Sequence, residues 1–127
     1  MASSTILVVE DHPLNRGLVV DILEAAGYTM LQAEDGIGLL EQVKAERPDL
    51  IILDLQLPAV DGLTLARQLK ADPATQGIPV LVTTAYAQVG NRERVLAAGC
   101  SGFLAKPLDV RAFIQTVGRL LGESSRA

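Results

Sequence analysis

Short runs of aliphatic and β-branched residues alternate along the chain with longer stretches in which apolar residues recur every three or four positions. The first pattern is typical of β-strands and the second of amphipathic helices. Together they predict five βα units in succession. The predicted strands are Ile6–Val9, about Thr29–Ala33, Leu50–Leu53, Val80–Thr83 and Gly102–Ala105.

Three of the strands contain runs that are apolar at consecutive positions and not only at alternate ones, namely Ile6–Val9, Leu50–Leu53 and Val80–Val82. Strands of a parallel sheet show this pattern because helices cover both faces of the sheet. Alternating strands and helices with short connections predict an α/β fold, a doubly wound three-layer sandwich of flavodoxin-like type. The expected strand order is 2-1-3-4-5.

The first helix is predicted to turn one apolar stripe to the core, formed by Leu14, Leu18, Ile22 and Ala26, and to end at Gly27. Glycine favours the left-handed conformation in which many helices terminate. Periodicity and helix-breaking prolines predict the next three helices at about Ile37–Ala45, Leu63–Lys70 and Asn91–Ala98. The last helix is predicted to follow Asp109, a plausible N-cap, and to extend to Leu121. The fourth helix has the weakest apolar face, so we expect it to be mobile or to face a partner.

Size and charge restrict the functional classes. We expect the 127 residues to form one domain, with a core from about 5 to 121. The net charge of −4 argues against direct nucleic-acid binding, which needs clustered Lys and Arg. The apolar runs are far too short for a membrane span, and the first residues do not resemble a signal peptide, so we expect a cytoplasmic protein. The single cysteine, Cys100, is expected to pack in the core.

Distinctive polar residues follow four of the predicted strands. Glu10 and Asp11 come after the first strand, Asp54 after the third, Thr84 after the fourth and Lys106 after the fifth. In open parallel sheets, ligands bind beyond the carboxyl ends of the strands, where the strand order reverses. The predicted order brings the ends of strands one and three together, so we expect these residues to form one site.

The charges of this site predict a metal. Three carboxylates and one ammonium leave a net charge of −2, which one divalent cation would neutralise. All-oxygen ligation without His or Cys favours Mg²⁺. A hydrated Mg²⁺ held by few carboxylates commonly serves a phosphate substrate. Asp54, at the end of the central strand, is therefore the predicted nucleophile for a phosphoryl group.

These residues resemble the motifs of response-regulator receiver domains of two-component signalling, and the resemblance extends from about Ile6 to Leu121. The motifs in chain order are Val9-Glu10-Asp11, Leu53-Asp54-Leu55-Gln56-Leu57-Pro58 followed by Asp61-Gly62, Thr84-Ala85 and Lys106-Pro107. The segment Glu10-Asp11-His12-Pro13-Leu14-Asn15 looks most like receivers attached to hybrid sensor kinases and like single-domain receivers of cell-cycle relays.

The resemblance implies that Asp54 accepts a phosphoryl group from a phosphohistidine on a sensor histidine kinase or a histidine phosphotransfer protein. It implies that Asp11, Asp54 and the backbone carbonyl of Gln56 hold Mg²⁺, with Glu10 acting mainly through a water. Lys106 would pair with the phosphoryl group, and Thr84 would move to hydrogen-bond it. The Lys106–Pro107 peptide is expected to be cis, as is common in such domains.

The resemblance also implies that the movement of Thr84 is coupled to Phe103. Many relatives have tyrosine at this position. The expected surface for a downstream protein target is helix four, strand five and helix five. Tyr86, two residues after Thr84, is bulky at a position where relatives with fast turnover orient the attacking water. We therefore predict a phosphoryl group that persists for minutes or longer.

Rival functions use the same fold. A flavin carrier would show a glycine- or hydroxyl-rich phosphate loop after strand one, where this chain is acidic. An aspartate-dependent phosphatase would have a second acid two residues after its nucleophile, where this chain has Gln56. His12 as the phosphorylated residue is disfavoured because it lies just after the acid pair and not on an exposed bundle helix. A loop or capping role is expected instead. Since the sequence ends soon after the last helix, the signal is expected to leave through protein contacts and not through an attached output domain.

Overall fold

The computed structural model of the protein describes residues 4–85 and 89–122. Five strands and five helices alternate along these residues. The strands are β1 (Thr5–Val9), β2 (Thr29–Ala33), β3 (Leu50–Asp54), β4 (Val80–Thr84) and β5 (Gly102–Ala105). The helices are α1 (Pro13–Ala25), α2 (Leu39–Glu46), α3 (Gly62–Ala71), α4 (Val89–Ala97) and α5 (Val110–Leu120).

The strands form one parallel sheet in the order β2-β1-β3-β4-β5, which confirms the predicted topology. Every residue of β3 and β4 is buried, as expected for central strands that are covered on both faces. Because β1 lies between β2 and β3, the chain order reverses beside β1. A crevice therefore opens at the carboxyl ends of β1 and β3.

The core is divided by the sheet into two layers. On one face, β1, β3 and β4 pack with buried side chains of α1 and α5, among them Leu23 and Phe113. On the other face, the same strands pack with α2, α3 and α4 through residues such as Val43, Leu69 and Val95. The three-layer arrangement predicted from the alternating pattern is confirmed.

The predicted core stripe of α1 is wrong for Leu14, Leu18 and Ala26, whereas Ile22 is half-buried against the core. Leu14 and Leu18 are 79% and 59% exposed, while Val19, Val20 and Leu23 face the sheet. The helix carries two apolar stripes, the predicted one and the one formed by Val19, Val20 and Leu23, and periodicity alone does not decide which of them faces the sheet. The helix does end as predicted, because Gly27 has a left-handed φ of 101°.

Helix α2 begins at Leu39, two residues later than predicted. Gly38 precedes it in the left-handed conformation, with φ 71°, so the backbone turns there before the helix starts. In α4, Val95 is buried, whereas Leu96 is 45% exposed. At α5, the predicted cap is confirmed, since the Asp109 carboxylate accepts a hydrogen bond of 3.0 Å from the backbone N–H of Ala112.

Candidate functional site

The predicted site residues meet at the carboxyl edge of the sheet. Glu10 directly follows β1, Asp54 is the last residue of β3, and Thr84 is the last residue of β4. Lys106 directly follows β5, and its backbone N–H donates to the carbonyl of Thr84 at 2.8 Å. Parallel strands end at the same edge of a sheet, so residues far apart in the sequence become neighbours.

The three predicted acids form one cluster. Carboxylate oxygens of Glu10, Asp11 and Asp54 all lie within 4.8 Å of one another. Glu10 and Asp54 are only 4% and 6% exposed, while Asp11 is exposed to solvent. The cluster is thus buried on its inner side and open to solvent at Asp11.

Lys106 extends its ammonium between the two buried acids. Its Nζ donates to Glu10 Oε1 at 2.6 Å and to Asp54 Oδ2 at 2.9 Å. Charge-assisted bonds of this length are among the stronger hydrogen bonds in proteins. The lysine offsets one of the three negative charges and leaves the cluster with a net charge of −2.

Burial and pairing act in opposite directions on these charged groups. Burial raises the pKa of Glu10 above its ordinary value, although the hydrogen bonds from Lys106 and from the backbone N–H of His12 oppose this effect. Burial alone would lower the pKa of Lys106, but its hydrogen bonds to Glu10 and Asp54 outweigh burial and raise it. The ammonium therefore stays protonated at neutral pH.

The second carboxylate oxygen of Asp54 is held by the loop that follows β3. Oδ1 accepts a hydrogen bond of 3.0 Å from the backbone N–H of Gln56. Gly62 returns to the same strand end, where its N–H donates to the carbonyl of Leu55 at 2.9 Å. A Cβ at Gly62 would collide with the backbone carbonyl of Asp54 and would lie 2.7 Å from the Cα of Leu55. Glycine is therefore required at this point for the loop to close against the acid.

The donor set of the cluster fits a hard divalent cation. Three carboxylate groups converge, two of them from the ends of adjacent strands, and the open side at Asp11 leaves room for water ligands. Mg²⁺ prefers such oxygen ligands and retains several waters. The predicted contribution of the Gln56 carbonyl stays a prediction, since Gln56 contacts the cluster through its backbone N–H.

The two predicted switch residues lie on the β4–β5 side of the site. Thr84 is completely buried, and Phe103 is half-buried against the core layer of α2, α3 and α4. The guanidinium of Arg92 on α4 lies 6.0 Å from the centre of the Phe103 ring, a distance at which a cation–π contact is effective. Phe103 thus links β5 to α4. Tyr86 lies outside the described residues.

Three further predictions concern His12 and Pro107, which lie next to the cluster, and Cys100, which lies in the core. His12 is the N-cap of α1, and its Nδ1 accepts from the backbone N–H of Asn15 at 3.4 Å, which confirms a capping role. The Lys106–Pro107 peptide is cis, as predicted. Cys100 is buried in the core, as expected, and burial raises the pKa of its thiol to about 11.

Sequence reasoning missed one polar contact and one cavity. The guanidinium of Arg16 donates to the backbone carbonyl of Glu10 at 2.8 Å. A mainly apolar cavity of about 460 Å³ lies between α1 and α5, and its lining includes Leu18, Lys106 and Val110. The exposed apolar stripe of α1 could have indicated the cavity, whereas Arg16 carries no motif that would single it out.

Comparison with known proteins places this geometry in a family. Residues 6–118 match the model of the response regulator receiver domain. The chain is 39% identical to the polar-differentiation response regulator DivK of Brucella anthropi over 120 residues, 94% of this chain and 98% of that protein.

Solved structures agree. A response regulator of Chloroflexus aurantiacus superimposes with a TM-score of 0.90 at 30% identity, covering 94% of this chain and 98% of that one. The receiver domain of a sensor histidine kinase from Pseudomonas aeruginosa, crystallised with a magnesium ion in its active-site cleft, gives 0.87 at 33% identity, covering 95% and 99%. With its sheet order, acid cluster and family match, this chain belongs to the response regulator receiver domain family of two-component signalling.

Proposed function

We propose that this receiver domain is a phosphorylation-dependent switch in which Asp54 accepts the phosphoryl group. The observation that carries the proposal is the environment of Asp54: a buried carboxylate at the end of the central strand, next to two further acids and hydrogen-bonded to Lys106. A buried acid cluster with a net negative charge is costly unless a cation binds to it. Such a cluster is suited to bind a cation and then an anionic group.

The proposed reaction is transfer of a phosphoryl group from a phosphohistidine to Asp54. An oxygen of the Asp54 carboxylate attacks phosphorus, the P–O bond forms and the P–N bond breaks. The electron pair of the broken bond remains on the imidazole nitrogen of the donor. Lys106, whose Nζ lies 2.9 Å from Oδ2, is placed to offset negative charge on the transferring group, and Thr84 is proposed to donate to it afterwards.

Mg²⁺ is the proposed cofactor, with Glu10, Asp11, Asp54 and the backbone carbonyl of Gln56 at its site. When bound, the ion supplies positive charge that draws the phosphoryl oxygens and the acids together. The residues of the chain keep separate tasks: Lys106 restrains the two buried acids, and the N–H of Gln56 orients Asp54. Glu10, already engaged by Lys106, is proposed to act on the ion mainly through water.

Receiver domains interact with histidine kinases or phosphotransfer proteins and with downstream targets. A protein donor fits the surface beside the cluster, where Leu14, Leu18 and Val110 are 79%, 59% and 50% exposed. Surfaces rich in exposed apolar side chains commonly mark protein interaction sites. The donor is therefore proposed to be a sensor histidine kinase or a histidine phosphotransfer protein.

The output is proposed to leave through α4, β5 and α5. Phe103 of β5 and Arg92 of α4 are in contact, so a change at Thr84 that moves Phe103 would also alter the outer face of α4. We further propose a single receiver domain with a core at about residues 5–121 and a cytoplasmic location. Among the described residues, none of the helices has the length and apolar character needed to cross a membrane. The long phosphoryl lifetime predicted from Tyr86 stays a prediction, which decay of the phosphorylated protein in Mg²⁺ would test.

The proposal is tested by incubating the protein with a small phosphodonor and measuring its intact mass. In the presence of Mg²⁺ we expect the mass of one phosphoryl group to be added, and with EDTA in place of Mg²⁺ we expect almost none. Asp54→Ala should remain unmodified under both conditions, while Asp109→Ala, which removes an exposed carboxylate at the cap of α5, should be modified like the wild type. A phosphoryl mass gain that survives in Asp54→Ala would overturn the site assignment.

A further inference from the structure

The loop between β1 and α1 carries two of the three acids of the cluster, and Arg16 is anchored to it. Arg16 lies in the first turns of α1, and its Nη1 donates to the backbone carbonyl of Glu10 at 2.8 Å. Its Nε donates to Oε1 of Gln32 on β2 at 3.3 Å. The guanidinium thus connects the acid loop to a neighbouring strand.

Arg16 acts on the peptide that joins Glu10 to Asp11. The backbone N–H of Glu10 is fixed by a hydrogen bond of 3.0 Å to the carbonyl of Ala33, and its carbonyl is fixed by Arg16. Because the N–H and the carbonyl of Glu10 are both held, the orientation of the Glu10–Asp11 peptide is fixed. This orientation in turn fixes the position of the Asp11 Cα, from which the exposed carboxylate extends. His12, one residue further, is held through its carbonyl, which accepts from the backbone N–H of Arg16 at 2.9 Å.

We propose that Arg16 is a positioning residue for the acid cluster: it orients the Glu10–Asp11 peptide so that the two carboxylates and Asp54 bind Mg²⁺ together. The inference rests on the proposed function, because it assigns Arg16 to the same metal site. Residues that orient metal ligands without touching the metal commonly change metal affinity by about tenfold or more when they are removed.

The sign of the effect separates positioning from simple charge. A guanidinium near a cation site repels the cation, so removing its charge alone would tighten Mg²⁺ binding. Loss of the hydrogen bond to the Glu10 carbonyl has the opposite effect, because the acid loop then samples orientations in which Asp11 points away from the cluster. If Arg16 is a positioning residue, its removal weakens Mg²⁺ binding although a positive charge has been lost.

The experiment measures Mg²⁺ affinity by isothermal titration calorimetry for the wild type, Arg16→Ala, Arg16→Lys and the control Arg119→Ala. We expect binding about tenfold weaker in Arg16→Ala. The Mg²⁺ affinity of Arg16→Lys should be intermediate, because the single ammonium of a lysine cannot reproduce the planar guanidinium geometry that reaches both the Glu10 carbonyl and Gln32. Arg119 is an exposed residue in the last turn of α5, and its removal should leave the affinity unchanged.

A metal-free readout accompanies the titration. In EDTA, hydrogen–deuterium exchange of the Asp11 and His12 amides should be faster in Arg16→Ala than in the wild type, and equal to the wild type in Arg119→Ala. If Arg16→Ala does not fold, Arg16→Lys decides by the same two measurements. Unchanged or tighter Mg²⁺ binding, or unchanged exchange of the two amides, overturns the role of Arg16. Failure of the wild type itself to bind Mg²⁺ would instead overturn the proposed function.

Discussion

Replacing Lys106 by methionine removes the cation between two buried acids while retaining a side chain of similar length. In the native protein its Nζ lies 2.6 Å from Glu10 Oε1 and 2.9 Å from Asp54 Oδ2. The variant leaves both carboxylates in place without this partner. Breaking a buried ion pair in this way is far more costly than losing an exposed one.

The magnitude follows from the repulsion between the two acids, which Lys106 offsets in the native protein and which the methionine cannot offset in the variant. Two unit charges at the 4.8 Å limit of the cluster repel by about 3.5 kcal/mol at an effective dielectric constant of about 20. Because burial already raises the pKa of Glu10, proton uptake by this acid relieves part of the repulsion. We therefore expect the free energy of unfolding at neutral pH in EDTA to fall by about 2–3 kcal/mol.

Urea unfolding followed by circular dichroism, with and without Mg²⁺, measures this effect. Ligand at about 100 times its dissociation constant stabilises a protein by about 2.7 kcal/mol. Mg²⁺ should stabilise Lys106→Met by more than it stabilises the wild type, because the ion then offsets the charge that the lysine no longer offsets. The matched control is Lys44→Met, since Lys44 forms a partly exposed surface ion pair of 2.8 Å with Asp72 and its removal should change little. Equal stability of Lys106→Met and the wild type in EDTA would refute the reasoning.

Three further predictions concern the surroundings of the site. Since the pKa of Glu10 is raised in the folded protein, its contribution to stability is largest below the ordinary value of 4.5 and is lost as pH rises through the folded pKa. Urea unfolding in EDTA should therefore show the wild type losing stability relative to Glu10→Gln from pH 4.5 upward, and a relative gain would contradict the raised pKa. Gly62→Ala should slow phosphorylation of Asp54 by a small phosphodonor, measured by intact mass, because the added Cβ collides with the backbone of Asp54. The control Gly77→Ala, which has open space around it, should react like the wild type, and equal rates for the two variants would contradict the close approach of Gly62 to the Asp54 backbone. Cys100, with its buried thiol, should react with a thiol reagent in urea but only slowly in the native protein, as monitored by absorbance, and rapid native reaction would contradict its burial.

The sheet and the position of the site could be predicted because both depend on local signals. Continuous apolar runs such as Leu50–Leu53 indicate buried parallel strands, and polar residues directly after such runs must lie at the same edge of the sheet. Asp54 and Lys106 therefore come together as expected, although 52 residues separate them. The site was predictable because strand order alone determines which ends are neighbours.

What the sequence did not reveal depends on how elements rotate and pack. Helix α1 has two apolar stripes, and contact with the sheet buries Leu23 while it leaves Leu18 exposed. The contact of Arg16 with the Glu10 carbonyl depends on the position of α1 relative to β1 and β2, which no local pattern encodes. The requirement for Gly62 likewise arises from the approach of two backbone segments and becomes visible only in three dimensions.

The carboxylate of Asp54 is the proposed carrier of the phosphoryl group. Borohydride reduces an aspartyl phosphate to homoserine, so reductive trapping after treatment with a phosphodonor and Mg²⁺, followed by peptide mass mapping, locates the modified residue directly. We predict homoserine at position 54 and at no other acid of the cluster. Homoserine at position 11, or a phosphoryl group that remains on His12, would contradict the account.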